Sequence, residues 1–339
     1  MRKNSGLMAR DSVLVVALCV MLIAPCLSAQ TQGARKMPRI GFLISATRSG
    51  TAPRVRAFQQ VLRELGYVEE KDIIIEQRYA EGNVKVVREI TDELIRLNPD
   101  VIVTDTSRAT QAAKDATKTI PVVFTAANDP VGDGQVASLA RPGGNLTGFS
   151  LLAPELNWKR LELLKSLLPK VTQLGFLTRT GGSEENFIGD RRFKESEADA
   201  KGLGLRLHLV GANSADDLEN AFEEAKRIGA QALIAQPSTF LVTNRARIIE
   251  LAVKYRFPVI YASTVYAERG GLVSYGADIV DNYRRAAMYV DKILKGSKPA
   301  DLPVQQPTKF ELVINVKAAK QIGLIIPPDV LARADKVIR

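Results

Sequence analysis

Short apolar strands alternate with amphipathic helices, and the alternation runs through twice with a similar order and period. This pattern predicts an α/β protein of two Rossmann-like lobes with parallel sheets, joined by a multi-strand hinge. The length of 339 residues suits two lobes, each able to bury its own core. Two lobes imply a cleft between them. A single His weighs against zinc chemistry and most nucleophile–base arrangements, which draw on imidazole.

The first series opens with the strand 39–44 (RIGFLI), followed by a helix over 53–65. Val55, Phe58, Val61, Leu62 and Leu65 share one face of that helix, and Gly66 ends it. Strand 73–79, helix 84–97, buried strand 100–104, helix 106–117 and strand 121–125 complete the series. The second begins after Gly148, with helix 155–168, strand 173–178, helix 184–202 and strand 205–210. A helix over 214–227 is expected to be capped by Ser214, with Asp216 and Asp217 in its first turn, where the dipole favours acids. Strand 230–235, helix 241–255 and strand 258–261 follow.

What remains is strand 272–275, a helix over 279–294 ended by Gly296, strand 310–314 and a short helix over 316–322. These must add to existing sheets, so the chain is expected to return to the first lobe and then to the second. Crossings are placed near 148–151, 272–276 and 302–308. The expected lobes are 38–148 with 276–305, and 151–273 with 307–339. Several crossings make a hinge that closes without twisting apart. The turn-rich stretch Arg141 to Gly148 lacks the Lys and helix start of a phosphate loop and is assigned to the hinge.

Residues 1–29 read as a secretory signal peptide. Arg2, Lys3 and Arg10 precede an apolar run over 13–24 and small residues up to Ala29. That run is well short of the ~20 apolar residues needed to span a bilayer. Cleavage after Ala29 would remove Cys19 and Cys26 and lower the net charge from +10 to +8. A lipid anchor would need Cys26 at the new N-terminus, which Pro25 disfavours. The expected location is the periplasm. The Lys and Arg are scattered with no run of five, so a solvated surface is expected and no nucleic-acid partner.

No GxSxG elbow, HExxH helix, Walker loop, CxxC pair or GxGxxG fingerprint occurs, so no cofactor or metal is expected. His208 alternates with Leu on its strand and shares a face with Arg206, which reads as exposed rather than catalytic. The polar residues that stand out lie just past strand C-termini, where open α/β sheets bind ligands. Ser45 and Thr47 follow the first strand. Thr106 and Ser107 follow the third and open a helix, placed either to hold a carboxylate or to cap that helix. Asp129 either meets a ligand ammonium or starts a turn before Pro130. Thr180, Ser238 and Tyr261 occupy the matching places in the second lobe. Phe124, Phe149, Tyr261 and Tyr275 offer rings that either stack on a ligand or fill the core.

Seven ordered blocks carry a resemblance that covers nearly the whole chain from Pro38. They are PRIGFL from Pro38, LGYV from Leu65, IPVVF from Ile120, SLARPGGNLTG from Ser138, KRLELL from Lys159, GGLVSYG from Gly270 and PTKFELVIN from Pro307. Together they resemble the ABC-transporter substrate-binding proteins related to the tryptophan- and tyrosine-binding lipoproteins. The resemblance implies a type I periplasmic-binding-protein fold and capture of a small solute, such as an aromatic or other amino acid. It also implies delivery to a membrane permease driven by a separate ATPase, and a monomer without enzymatic activity is expected. Carried over by position, Ser45, Thr106, Ser107, Asp129, Thr180, Ser238, Tyr261 and Tyr275 face the cleft. The chain departs from common members at 178–182 and 236–240, which bears on the ligand rather than the fold. The rival readings are a ligand-sensing module for a membrane receptor, and an enzyme acting on a small acid. Such an enzyme would have only Asp105 and Asp129 as bases.

Overall fold

The computed structural model describes residues 37–83, 85–180 and 183–339, the side chains of 183–190 excepted. The expected leader, with Cys19 and Cys26, lies outside these residues, as do Gly181 and Gly182. The first sheet has five parallel strands in the order β2-β1-β3-β4-β5: β1 (Arg39–Ile44), β2 (Ile74–Tyr79), β3 (Val101–Thr104), β4 (Val122–Ala127) and β5 (Leu146–Ser150). Helices α1 (Arg48–Glu64), α2 (Val86–Arg96) and α3 (Ser107–Ala116) connect them. Both faces of β1 are buried, which is why it reads as a continuous apolar run. Ile40, Phe42 and Ile44 meet one core and Leu43 another.

The second sheet repeats that order and extends it. After α4 (Ala153–Leu167) come β6 (Gln173–Arg179), α5 (Ser183–Gly202), β7 (Arg206–Ala212), α6 (Leu218–Arg227) and β8 (Ala232–Ala235). Then follow α7 (Thr239–Thr243), α8 (Arg245–Lys254), β9 (Val259–Tyr261), α9 (Thr264–Glu268) and β10 (Val273–Ala277). Strands β7-β6-β8-β9-β10 stand in the order already seen in the first sheet. The C-terminal part holds α10 (Ile279–Leu294), β11 (Phe310–Asn315), α11 (Val316–Gln321), α12 (Pro328–Ala332) and β12 (Lys336–Ile338). β11 joins β10 antiparallel and β12 joins β11 parallel, the only antiparallel pair among the described strands being β10–β11. Helix α10 packs on α1 and β4, where Tyr283 lies 6.0 Å from the ring of Phe42.

Several expectations are corrected. Helix α1 starts at Arg48 rather than residue 53, because Thr47 caps it by accepting from Gly50 N at 3.1 Å. Pro53 therefore lies inside the helix and leaves the Ser49 carbonyl without its usual donor. Helix α6 starts at Leu218, and Ser214 does not cap it. Asp217 Oδ2 instead accepts from the backbone N–H groups of Asn213 and Ser214, holding a turn that delays the helix. The helix expected over 241–255 breaks at Asn244, whose amide donates to the Phe240 carbonyl. The hinge stretch ending at Gly148 contains most of β5, a buried strand. His208 on edge strand β7 is half-buried against Gln173 at 3.1 Å, and Leu209, expected inside, is exposed.

Candidate ligand-binding cleft

Strand order 2-1-3 places a topological switch between β1 and β3, and chain connections diverge there to leave a crevice. Ser45 follows β1 and Thr106 follows β3, and their hydroxyls meet at 2.9 Å. Asp105 lies beneath them, accepting from Ser45 N at 2.9 Å and Ala46 N at 3.4 Å. Thr106 caps α3 by accepting from Ala109 N, and Ser107 Oγ accepts from Asn128 N at 2.9 Å, tying in the loop after β4. The bonds use the oxygens as acceptors, and the Ser45–Thr106 contact uses one hydroxyl proton. The Ser45 hydroxyl also bonds the Asp105 carboxyl, so the protons of that pair are used within the set and the Ser107 proton is left to donate to a ligand oxygen.

Burial raises the Asp105 carboxyl above its ordinary value of 3.8, against the pull of the Ser45 N–H and hydroxyl, the Ala46 N–H and the more distant Arg54. A raised acid contributes stability that is full below its unfolded value and is lost as pH rises through its folded value. Stability relative to Asp105→Asn is therefore expected to fall as pH rises above the ordinary carboxyl value toward neutrality. Urea unfolding of both proteins across that range checks this, and a constant difference would contradict it.

The second lobe repeats the switch between β6 and β8. Thr178 Oγ1 donates to Gln236 Oε1 between those strands, and Thr180 Oγ1 donates to Asn213 Oδ1 at 2.8 Å. Ser238 caps α7 by accepting from Leu241 N at 3.2 Å. The Arg179 guanidinium lies 5.4 Å from the Phe240 ring. The lobes meet here, since Asn128 Nδ2 donates to the Pro237 carbonyl at 3.4 Å. Near the crossings, between Leu151, Arg160, Pro237 and Ile279, about 10 Å³ remains, the space of about one water.

The expected aromatic lining is not formed by the four rings named from the sequence. Tyr261 is wholly buried and stacks on Tyr266 at 4.3 Å, because β9 is covered on both faces. Burial raises its hydroxyl well above the ordinary tyrosine value. Phe124 and Phe149 are also core, while Tyr275 is half-buried against Phe310.

Asp129 meets a cation that belongs to the chain itself. Arg191 on α5 approaches Asp129 at 3.2 Å and Asp133 at 2.7 Å, and Arg192 reaches Asp133 at 3.1 Å. Asp133 and Arg192 are nearly buried, with side chains 3% and 6% exposed. These four residues bridge the loop after β4 of the first sheet to the long helix of the second lobe.

A sequence profile of ABC transporter substrate binding proteins matches residues 45–338. The chain belongs to that family. A tyrosine-binding protein of Clostridioides difficile is 26% identical over 271 residues, covering 79% of this chain and 76% of the relative. A solved conserved domain protein of Vibrio cholerae superposes with a TM-score of 0.82 at 31% identity, over 89% of this chain and all of the other. A Streptococcus pneumoniae ABC domain solved in complex with L-Trp gives a TM-score of 0.80 at 28% identity, over 89% and 99% of the two chains. The resemblance in the seven blocks and the type I binding fold are both supported by these matches.

As an ABC substrate-binding protein, the chain captures a small solute outside the cytoplasm for an importer with a permease and an ATPase. Among the described residues no helix is long and apolar enough to cross a membrane, and no group of three or more His, Cys, Asp or Glu is placed to hold a metal. The substrate-binding protein also carries Arg160, which sequence reasoning passed over as part of an amphipathic helix. Its side chain is buried on α4, donating to the Tyr275 carbonyl at 2.8 Å and to Asn157 Oδ1 at 2.7 Å. Burial pulls its guanidinium down to about 9, so it remains protonated at neutral pH. Arg160 thereby ties α4, where the chain enters the second lobe, to β10, where it leaves. Arg191, Arg192 and Asp133 also escaped notice, since charged residues on a polar helix and in a loop look like solvated surface until their partners are seen.

Proposed function

We propose that the solute is an amino acid or a closely related small carboxylate, held between the lobes in the periplasm by a monomer that performs no chemistry on it. The observation that carries this reading is the Ser45–Thr106–Ser107 hydroxyl set at the first switch point. It places the Ser107 proton and three hydroxyl groups at the opening of α3, where helix N-terminal dipoles favour a carboxylate. Thr180 and Ser238 supply polar groups from the second lobe, and Phe240 supplies partly exposed apolar surface. The names of two relatives, a tyrosine-binding protein and a domain solved with L-Trp, point to the same ligand class. Secretion through residues 1–29 accounts for the location.

Calorimetry on protein unfolded and refolded to remove prebound ligand tests the reading. Heat is expected from at least one aromatic or branched amino acid or its desamino acid. Removing the free donor by Ser107→Ala is expected to weaken binding about tenfold or more, as for a lost hydrogen bond to a charged group. Absence of heat from every such compound would overturn the proposal.

A further inference from the structure

We propose that Arg191 is a specificity-determining residue: it occupies, from within the chain, the Asp129 carboxylate that would otherwise receive a ligand's ammonium. The inference rests on the reading of the solute as a small carboxylate. Asp129 has two oxygens, and both are engaged. Oδ1 accepts from Gly132 N at 2.9 Å, and Oδ2 lies 3.2 Å from Arg191 Nη2. The guanidinium is held there by a second, shorter contact, since the same Nη2 lies 2.7 Å from Asp133 Oδ1. Asp133 is itself held by Arg192, so Arg191 is positioned without help from a ligand.

Gly132 shows how closely the pair is packed. A Cβ at that position would lie 2.0 Å from Asp129 Oδ2 and 2.1 Å from Arg191 Nη1, so only glycine leaves room for the contact. Two further acids in the first-lobe loops are also engaged. Asp105 is buried and accepts from Ser45 N and Ala46 N, and Glu81 accepts from Arg48 N at 3.2 Å. An amino acid entering the cleft therefore meets an Asp129 whose charge Arg191 already neutralises, so its ammonium gains little by pairing there. The cleft reads the carboxylate and the side chain, and is nearly indifferent to the α-ammonium.

The test compares each amino acid with the same molecule lacking the amine: L-tryptophan with indole-3-propionate, L-tyrosine with 3-(4-hydroxyphenyl)propionate, and L-leucine with 4-methylpentanoate. Calorimetric Kd values would be measured for the native protein and for Arg191→Met and Arg191→Lys. The ratio within a pair does not depend on how much of a variant is folded. In the native protein the two members are expected to bind within about threefold. Arg191→Met frees Asp129 and is expected to shift the ratio toward the amino acid by about tenfold or more, the size of a charge-assisted hydrogen bond. Arg191→Lys keeps a cation there and is expected to keep the native ratio. Native preference for the amino acid above about tenfold, or an unchanged ratio in Arg191→Met, would overturn the inference while leaving the carboxylate reading intact. Binding by neither member of any pair would overturn both.

Discussion

Asp133→Ala is expected to destabilise the protein by about 3–5 kcal/mol, because it leaves Arg192 charged, nearly buried and without its carboxylate. Burial already pulls the Arg192 guanidinium down, and Asp133 is the main charge opposing that shift. Arg191 would keep Asp129 at 3.2 Å, so its position is less affected than that of Arg192. Adding Arg192→Met to Asp133→Ala removes the orphaned charge and is expected to recover most of the loss, since a buried ion pair can be replaced by apolar packing at little cost. Urea denaturation of the native, single and double variants measures both effects. A single variant within about 1 kcal/mol of native would show that the pair is solvated and carries little.

Gly148→Ala is expected to cost about 3 kcal/mol or more, for two separate reasons. Gly148 has φ +150°, and a Cβ there would lie 2.1 Å from the Phe124 carbonyl oxygen and 2.7 Å from Phe124 N. Gly148 and Phe124 are register partners in the β4–β5 pair, so the clash could be relieved only by separating two buried strands. Gly296→Ala is the control: its φ is +102°, but nothing lies within 4 Å, so only backbone strain of about 1–2 kcal/mol is expected. Thermal or urea unfolding of both variants separates the steric part from the conformational part. Equal losses would mean that the sheet yields at Gly148.

The same glycine shows where sequence reasoning went astray. Gly143, Gly144 and Gly148 in eight residues read as a turn, and local composition offers nothing to correct that. The strand forms because β4 pairs on one side and Gln305 joins on the other, its N–H donating to the Gly148 carbonyl and its carbonyl accepting from Ser150 N. Those partners lie far along the chain. Errors at helix starts had a more local cause, since Thr47 and Asp217 both carry capping-type side chains. Which backbone N–H each one takes decides where the helix begins.

At the cleft, the hydroxyls of Ser45, Thr106 and Ser107 were legible because they follow strand C-termini, and strand order turns that position into a crevice. Thr180 and Ser238 follow by the same rule in the repeated lobe. The aromatic residues were not legible in the same way. Tyr261 lies at a strand C-terminus, one place before the position Ser45 takes, and its ring turns into the core against Tyr266.

The sequence by itself determined the alternation of elements, the repetition of two α/β lobes, the family resemblance and the hydroxyls at the switch points. Each of these follows from residue types at short spacing. Only the tertiary structure decided that the returning helix α10 packs on α1 and β4, that β11 joins β10 antiparallel with β12 beside it, and that Asp129 is met by Arg191. The physical reason is separation along the chain. Periodicity reports which face of an element is apolar, but a carboxylate's partner depends on which distant side chain the fold brings within hydrogen-bonding distance.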